Sequence, residues 1–166
     1  MTAFAFVFPG QGSQSVGMLD AWGDRPEVTL ALTEASDALG EDLGRLIKDG
    51  PKEALALTTN TQPVMLVAGV ATWRVWRSEG GALPEVVAGH SLGEYSALVA
   101  SGVLTLAQAA PLVRFRAAAM QEAVPVGVMY SLGAEDTIAS THRGHGHAIA
   151  KGLPLEGFFA ELLGRE

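Results

Sequence analysis

The sequence predicts an α/β fold, an incomplete parallel sheet with helices on both faces, followed by a short helical and loop segment at the C-terminal end. Three observations predict it. Phe4 to Phe8 and Val86 to Ala88 are apolar runs too short for helices, rich in aromatic and β-branched residues, as strands buried on both faces are. The stretches between and after them repeat apolar residues near the helical period. The distance between the two runs leaves room for the helical crossovers that parallel pairing requires. Two strands alone make too narrow a sheet, so the fold reads as incomplete.

Pro9-Gly10 stops the first strand, and Gln11 to Ser15 is a small, polar loop. Pro26, Val28, Leu32, Ala35 and Leu39 follow the helical period up to Gly40. A shorter helix is predicted over 42–48 and a further turn over 52–57, followed by a polar break at Thr58 to Thr61. From Gln62 to Arg77 the only charges are Arg74 and Arg77, among good helix formers, which predicts one long buried helix. Gly80-Gly81 and Pro84 end it before the second strand. Gly89 to Gly93 then turns the chain into an apolar helix reaching about Ala100, and Thr105 is the predicted N-cap of another ending near Gln121. A boundary near Pro125 separates a domain at 1–125 from a segment at 126–166, where His142, His145 and His147 crowd a glycine-rich stretch before a short helix over 154–163.

Composition narrows the function. In 166 residues, 11 Lys and Arg stand against 18 Asp and Glu, a net charge of −7, and 48% of the chain is apolar. Such a chain folds around one core rather than remaining disordered. Its acidity removes the basic footprint that nucleic acid demands, so no nucleic-acid partner is expected. Without cysteine there is no disulfide framework or thiolate site, covalent chemistry falls to Ser, Thr, Lys or a carboxylate, and the cytoplasm is the default compartment. Met1 to Phe8 lacks a basic n-region, and the longest uncharged run, Tyr95 to Val113, is broken by Ser101, Gly102, Thr105, Gln108 and Pro111. Neither a signal peptide nor a membrane span is therefore expected.

Gly89-His90-Ser91-Leu92-Gly93 fits G-x-S-x-G, the sharp strand-to-helix turn that lifts a serine hydroxyl toward a substrate. The strand before it and the helix after it are the context the turn needs, and Ser91 is the candidate nucleophile. The Leu92 N–H, at the start of the helix, is a candidate oxyanion donor. In a parallel sheet the loop after the first strand emerges at the same carboxyl edge as Ser91, which makes Gln11 the candidate second donor. On spacing alone that loop is equally a strand-to-helix connection without chemistry, and it lacks the Lys-Ser/Thr of a phosphate-binding loop. His90 reads as structural, packed beneath the serine.

These residues carry a resemblance. Phe8-Pro9-Gly10-Gln11-Gly12-Ser13-Gln14 with Gly17-Met18, then Thr61-Gln62-Pro63, then Gly89-His90-Ser91-Leu92-Gly93-Glu94-Tyr95 resemble, in order and spacing, the malonyl-CoA:acyl-carrier-protein transacylases and the acyltransferase domains of polyketide synthases. The resemblance covers Met1 to about Val128. It implies an α/β-hydrolase-like transacylase fold and ping-pong transfer of malonyl from coenzyme A, through a Ser91 ester, to the phosphopantetheine thiol of an acyl carrier protein, with malonyl-CoA as substrate and no cofactor. Arg116, in Arg116 to Pro125, matches the family's carboxylate-binding arginine, and a guanidinium fork suits malonyl over acetyl. On the residues alone, Arg114 and Arg116 equally suit a solvated helix face.

The resemblance breaks near 121–128. Nothing beyond matches the transacylases' small inserted subdomain, histidine base or remaining strands, so impaired transfer is expected. Over about 121–166, and most closely over Met129 to Gly152, the chain instead resembles the alpha subunit of thiamine-diphosphate-dependent acetoin and pyruvate dehydrogenases, where Arg143 would meet the cofactor diphosphate. That site is incomplete here, and the chain reads as a chimera. His142, His145 and His147 read as a surface loop in preference to a metal site, since His-x-His supplies only two ligands. One of the three folded back could serve as base, although neither parent family places that loop near the elbow. Two further readings stand beside transfer: a serine hydrolase, which would need no Arg116, and an inactive or interaction-only chain that self-associates through an unpaired sheet edge.

Overall fold

The structure, a computed structural model, describes residues 3–123. The expectations for 126–166, the helix over 154–163 and the roles weighed for His142, Arg143, His145 and His147 included, lie outside the described residues. Along the chain come β1 (Ala5–Phe8), a 3₁₀ turn (Asp20–Trp22), α1 (Pro26–Leu39), α2 (Leu43–Asp49), α3 (Lys52–Ala56), α4 (Thr58–Ser78), β2 (Val86–Gly89), α5 (Gly93–Ala100) and α6 (Leu106–Ala123). The two strands pair in parallel, from Ala5 opposite Val86 to Phe8 opposite Gly89. An α/β fold with a small parallel sheet is thus what the sequence predicts.

Local chemistry sets the helix ends. Pro26 opens α1, and Gly40 closes it at φ 65°, with the Glu41 N–H returning to the Ser36 carbonyl at 3.1 Å. Asp42 caps α2 by accepting from the Arg45 N–H at 2.8 Å. At α6, the Gln108 N–H donates to Thr105 Oγ1 at 3.2 Å while the Thr105 N–H donates to Gln108 Oε1 at 3.0 Å, a reciprocal capping box.

The polar break expected at Thr58 to Thr61 is absent, and those residues form the first turn of α4. Their side chains explain it. Thr61 Oγ1 donates to the Leu55 carbonyl at 2.5 Å and lies 3.0 Å from that of Leu57, while Asn60 Nδ2 donates to the Ala54 carbonyl at 2.9 Å. A cluster that reads as a loop instead satisfies the orphan carbonyls at the end of α3 and locks the α3–α4 junction.

The core is helical. Val28, Ala31 and Ala35 of α1, Val64, Leu66, Val67 and Val70 of α4, and Leu106, Ala109, Ala110 and Val113 of α6 are buried together. Each larger side chain contributes about 1.5–3 kcal/mol by leaving water, and the alanines let the helices approach closely. Glu34 fastens the three helices at one end, accepting from Arg74 of α4 at 2.6 Å and from the Ala107 N–H in the first turn of α6 at 3.1 Å.

The sheet differs from its sequence expectation. Phe6 and Phe8 turn toward α4, with the Phe6 ring edge-on to Trp73 at 5.2 Å between centroids, and Val87 packs against the same group. Val7 and Val86 on the other face are 65% and 57% exposed. The strands are therefore covered on one face rather than buried on both, because no described element lies over Val7 and Val86.

Candidate active site

Ser91 stands on the turn between β2 and α5. Among the described residues it is the one non-glycine residue at positive φ, 53°. That conformation costs about 1–3 kcal/mol and persists where the surroundings enforce it. Here they do so through close approach. A Cβ on Gly89 would lie 2.0 Å from the Gly93 carbonyl carbon, and one on Gly93 would lie 2.2 Å from the Phe8 carbonyl oxygen. Both glycines of the G-x-S-x-G pattern are therefore required by space. The His90 N–H donates to the Phe8 carbonyl at 3.1 Å and extends the strand pairing by one residue, and the Gly93 N–H closes the turn on the His90 carbonyl at 2.8 Å.

The loop after β1 runs against this turn. A Cβ on Gly10 would sit 3.1 Å from the His90 carbonyl oxygen and 3.8 Å from Ser91 Cβ, so the loop and the serine share the carboxyl edge of the sheet, as parallel pairing dictates. Gln11 follows Gly10 there and is half-buried. Leu92 is fully buried, with its backbone in the α-helical region at the N-cap of α5. His90 is exposed rather than packed beneath the serine, since its side chain lies on the rim beside Gly10.

Arg116 reaches the serine from α6. Its Nη2 donates to Ser91 Oγ at 2.9 Å and its Nη1 to Gln62 Oε1 at 2.5 Å. Gln62 is fully buried, and its Nε2 lies 3.3 Å from Met120 Sδ. A buried amide thus fixes the guanidinium, and the guanidinium meets the hydroxyl. Arg114 has a different task. It binds Glu41, the Asn60 side chain at 3.2 Å and the Thr59 carbonyl. Pro63, four residues after Thr59, has no N–H to offer that carbonyl, so Arg114 takes the place of the missing helical bond. Neither arginine lies on a solvated helix face; both are half-buried and bonded.

Sequence reasoning quotes Thr61-Gln62-Pro63 as a motif without giving its members tasks. The structure gives each one: Thr61 joins α3 to α4, Gln62 holds Arg116, and Pro63 frees the carbonyl that Arg114 occupies. Tyr95 is likewise quoted in a motif without a task. It lies one turn beyond Ser91, and burial raises its hydroxyl pKa, opposed by the nearby Arg116 and reinforced by Glu94. A groove of about 350 Å³ runs between β1 and α4, lined by Phe8, Met65, Gly69 and Ser96 among others; Ser91 and Arg116 are not in its walls. Among the described residues no group of carboxylates and histidines could hold a metal ion, and no helix is long and apolar enough to cross a membrane.

A strained serine on a strand-to-helix turn, a glycine-rich loop at the same sheet edge and an arginine within hydrogen-bond distance form one constellation. Most of the chain is similar to known proteins. The malonyl CoA-acyl carrier protein transacylase of Salmonella typhimurium is 58% identical over 128 residues, 76% of this chain and 41% of that protein. That of Escherichia coli K12 is 57% identical over the same lengths. The crystal structure of the acyl-carrier-protein S-malonyltransferase from Burkholderia pseudomallei superimposes with a TM-score of 0.73 at 66% identity, over 76% of this chain and 41% of that one. A malonyl-transacylase solved in complex with its type II polyketide-synthase acyl-carrier protein gives 0.71 at 55%, over 75% and 40%. The chain spans about two fifths of the length of these relatives. Residues 5–147 match the acyl transferase domain family, and with that match covering most of its length, the chain belongs to that family.

Proposed function

We propose that this chain carries the loading half of a malonyl transfer site. Ser91 Oγ attacks the thioester carbonyl of malonyl-CoA, the carbon–sulfur bond breaks, coenzyme A leaves as the thiol, and malonyl stays as a serine ester; the phosphopantetheine thiol of an acyl carrier protein then takes it. The reading rests on one observation above the rest: Arg116 Nη2 lies 2.9 Å from Ser91 Oγ. A guanidinium at that distance from the nucleophile lies where the free carboxylate of a three-carbon diacid would arrive once its other end is esterified, whereas acetyl brings no partner for it. The Leu92 N–H and Gln11 are the proposed oxyanion donors, supported by their place at the helix start and at the shared sheet edge.

Further features belong to the same proposal. A serine hydroxyl needs a base to react quickly, and the transacylase resemblance assigns that task to a histidine outside the matched motifs. The segment over 121–166 is proposed as a join to a sequence like the thiamine-diphosphate dehydrogenase alpha subunits, on the strength of Met129 to Gly152. The proposed setting is the cytoplasm, on the strength of a cysteine-free chain. No particular observation favours a hydrolase or self-association through an unpaired sheet edge.

The test is intact mass after incubation of the chain with malonyl-CoA. A malonyl adduct is expected on the wild-type chain and none on Ser91→Ala. An adduct that persists in the variant removes Ser91 as the nucleophile.

A further inference from the structure

We propose that Arg116 has a catalytic task before any carboxylate arrives: its guanidinium stabilises the Ser91 alkoxide and so activates the serine for attack. The proposal rests on Ser91 being the nucleophile and on nothing about which acyl group it takes.

The geometry points to this because the arginine is already on the hydroxyl in the free chain. Arg116 Nη2 donates to Ser91 Oγ at 2.9 Å. Guanidinium has donors only and stays charged, so the bond runs from nitrogen to oxygen in every protonation state of the serine. Its strength does change. With a neutral hydroxyl the bond already carries the guanidinium's charge, while with an alkoxide in the same place both partners are charged and the attraction is stronger. That difference lowers the free energy of the reactive form. Gln62, fully buried, holds the other nitrogen at 2.5 Å, so the guanidinium is oriented before the reaction and little reorganisation is needed. The left-handed backbone at Ser91, φ 53°, fixes the hydroxyl from the other side.

The step balances without a protein base. The Ser91 hydroxyl proton goes to a solvent base, hydroxide or buffer, and the oxygen's electron pair forms the new bond to the acyl carbon. The carbon–sulfur bond then breaks, and the departing thiolate takes a proton from solvent. Once the ester has formed, Ser91 Oγ carries no charge and the guanidinium is released to the substrate carboxylate. One arginine therefore serves nucleophile and substrate in turn.

A probe without a carboxylate separates the two tasks. Phenylmethanesulfonyl fluoride forms an oxygen–sulfur bond to an activated serine with loss of fluoride and carries no carboxylate for Arg116 to pair with. The rate of adduct formation is followed by intact mass on the full chain. Ser91→Ala is expected to give no adduct, and labelling of that variant at the wild-type rate defeats the nucleophile assignment on which both readings stand. Arg116→Ala is expected to label about tenfold or more slowly, the loss of one charge-assisted hydrogen bond. Arg116→Lys keeps a cation on α6 but gives up the second nitrogen that Gln62 holds, so it is expected to label faster than Arg116→Ala and more slowly than wild type, a partial recovery that a collapsed site would not give. Equal rates for wild type and Arg116→Ala overturn the proposal, as does an Arg116→Lys rate as slow as that of Arg116→Ala. Either result leaves the carboxylate reading standing, since that depends on malonyl alone.

Discussion

The helical side of the molecule and its sheet are built to different standards. α1, α4 and α6 close on one another, with Leu66, Val70, Leu106 and Val113 fully buried, Glu34 bonding Arg74 and the Ala107 N–H, and Arg114 supplying the carbonyl bond that Pro63 cannot. β1 and β2 share a single parallel ladder, pack Phe6 and Phe8 on Trp73, and leave Val7 and Val86 in solvent. The candidate site straddles the two. Ser91 stands on the turn after β2, while Arg116 and Gln62 come from the helices. The larger share of buried surface and the proposed carboxylate anchor, Arg116, thus belong to the helices, and the proposed nucleophile, Ser91, belongs to the less covered part.

The largest effect expected of that contrast is on stability. Leu66→Ala removes a fully buried side chain from α4 and should cost about 2–5 kcal/mol. Val7→Ala on the exposed face should stay within about 0.5 kcal/mol. Urea denaturation followed by circular dichroism compares them, and equal losses would mean that the sheet face is covered in solution. Next comes Arg114→Ala, which removes a half-buried guanidinium and leaves the Thr59 carbonyl, the Asn60 side chain and Glu41 without their donor. A destabilisation of about 1–3 kcal/mol is expected by the same measurement, with no change in the preference for malonyl over acetyl. A changed preference would move Arg114 into the site and blur the division between the two arginines. The smallest loss expected on the helical side is at Thr105→Ala, which breaks the capping box of α6 and should cost about 1 kcal/mol in the same denaturation measurement.

Much of this was legible in the sequence because the signals were local. Pro26 and Gly40 bound α1 in both readings, Thr105 caps α6, and the two apolar runs pair in parallel with the serine turn at their carboxyl end. The errors have physical sources. Thr58 to Thr61 reads as a break because Thr and Asn favour caps and turns, yet here the carbonyls that they cap belong to the neighbouring helix. Apolar runs such as Phe4 to Phe8 state what could be buried, and whether a second layer covers Val7 depends on chain elsewhere. His90 reads as packed beneath the serine from its place before it, whereas its exposure follows from the rim on which the turn sits. Gln62 went unassigned because its partners, Arg116 and Met120, are more than fifty residues away, a separation that no periodicity reports.

The central claim is that an arginine of the helical core and a serine of the sheet turn act on one substrate. The most direct test is a paired loading measurement, malonyl-CoA against acetyl-CoA, by intact mass, for the wild type and for Arg116→Ala. A malonyl preference in the wild type that falls about tenfold or more in the variant, as the loss of a charged hydrogen-bond partner would cause, is the result predicted. Loss of both adducts in equal proportion, or an unchanged ratio, would contradict it and leave Arg116 without a role in recognising the carboxylate.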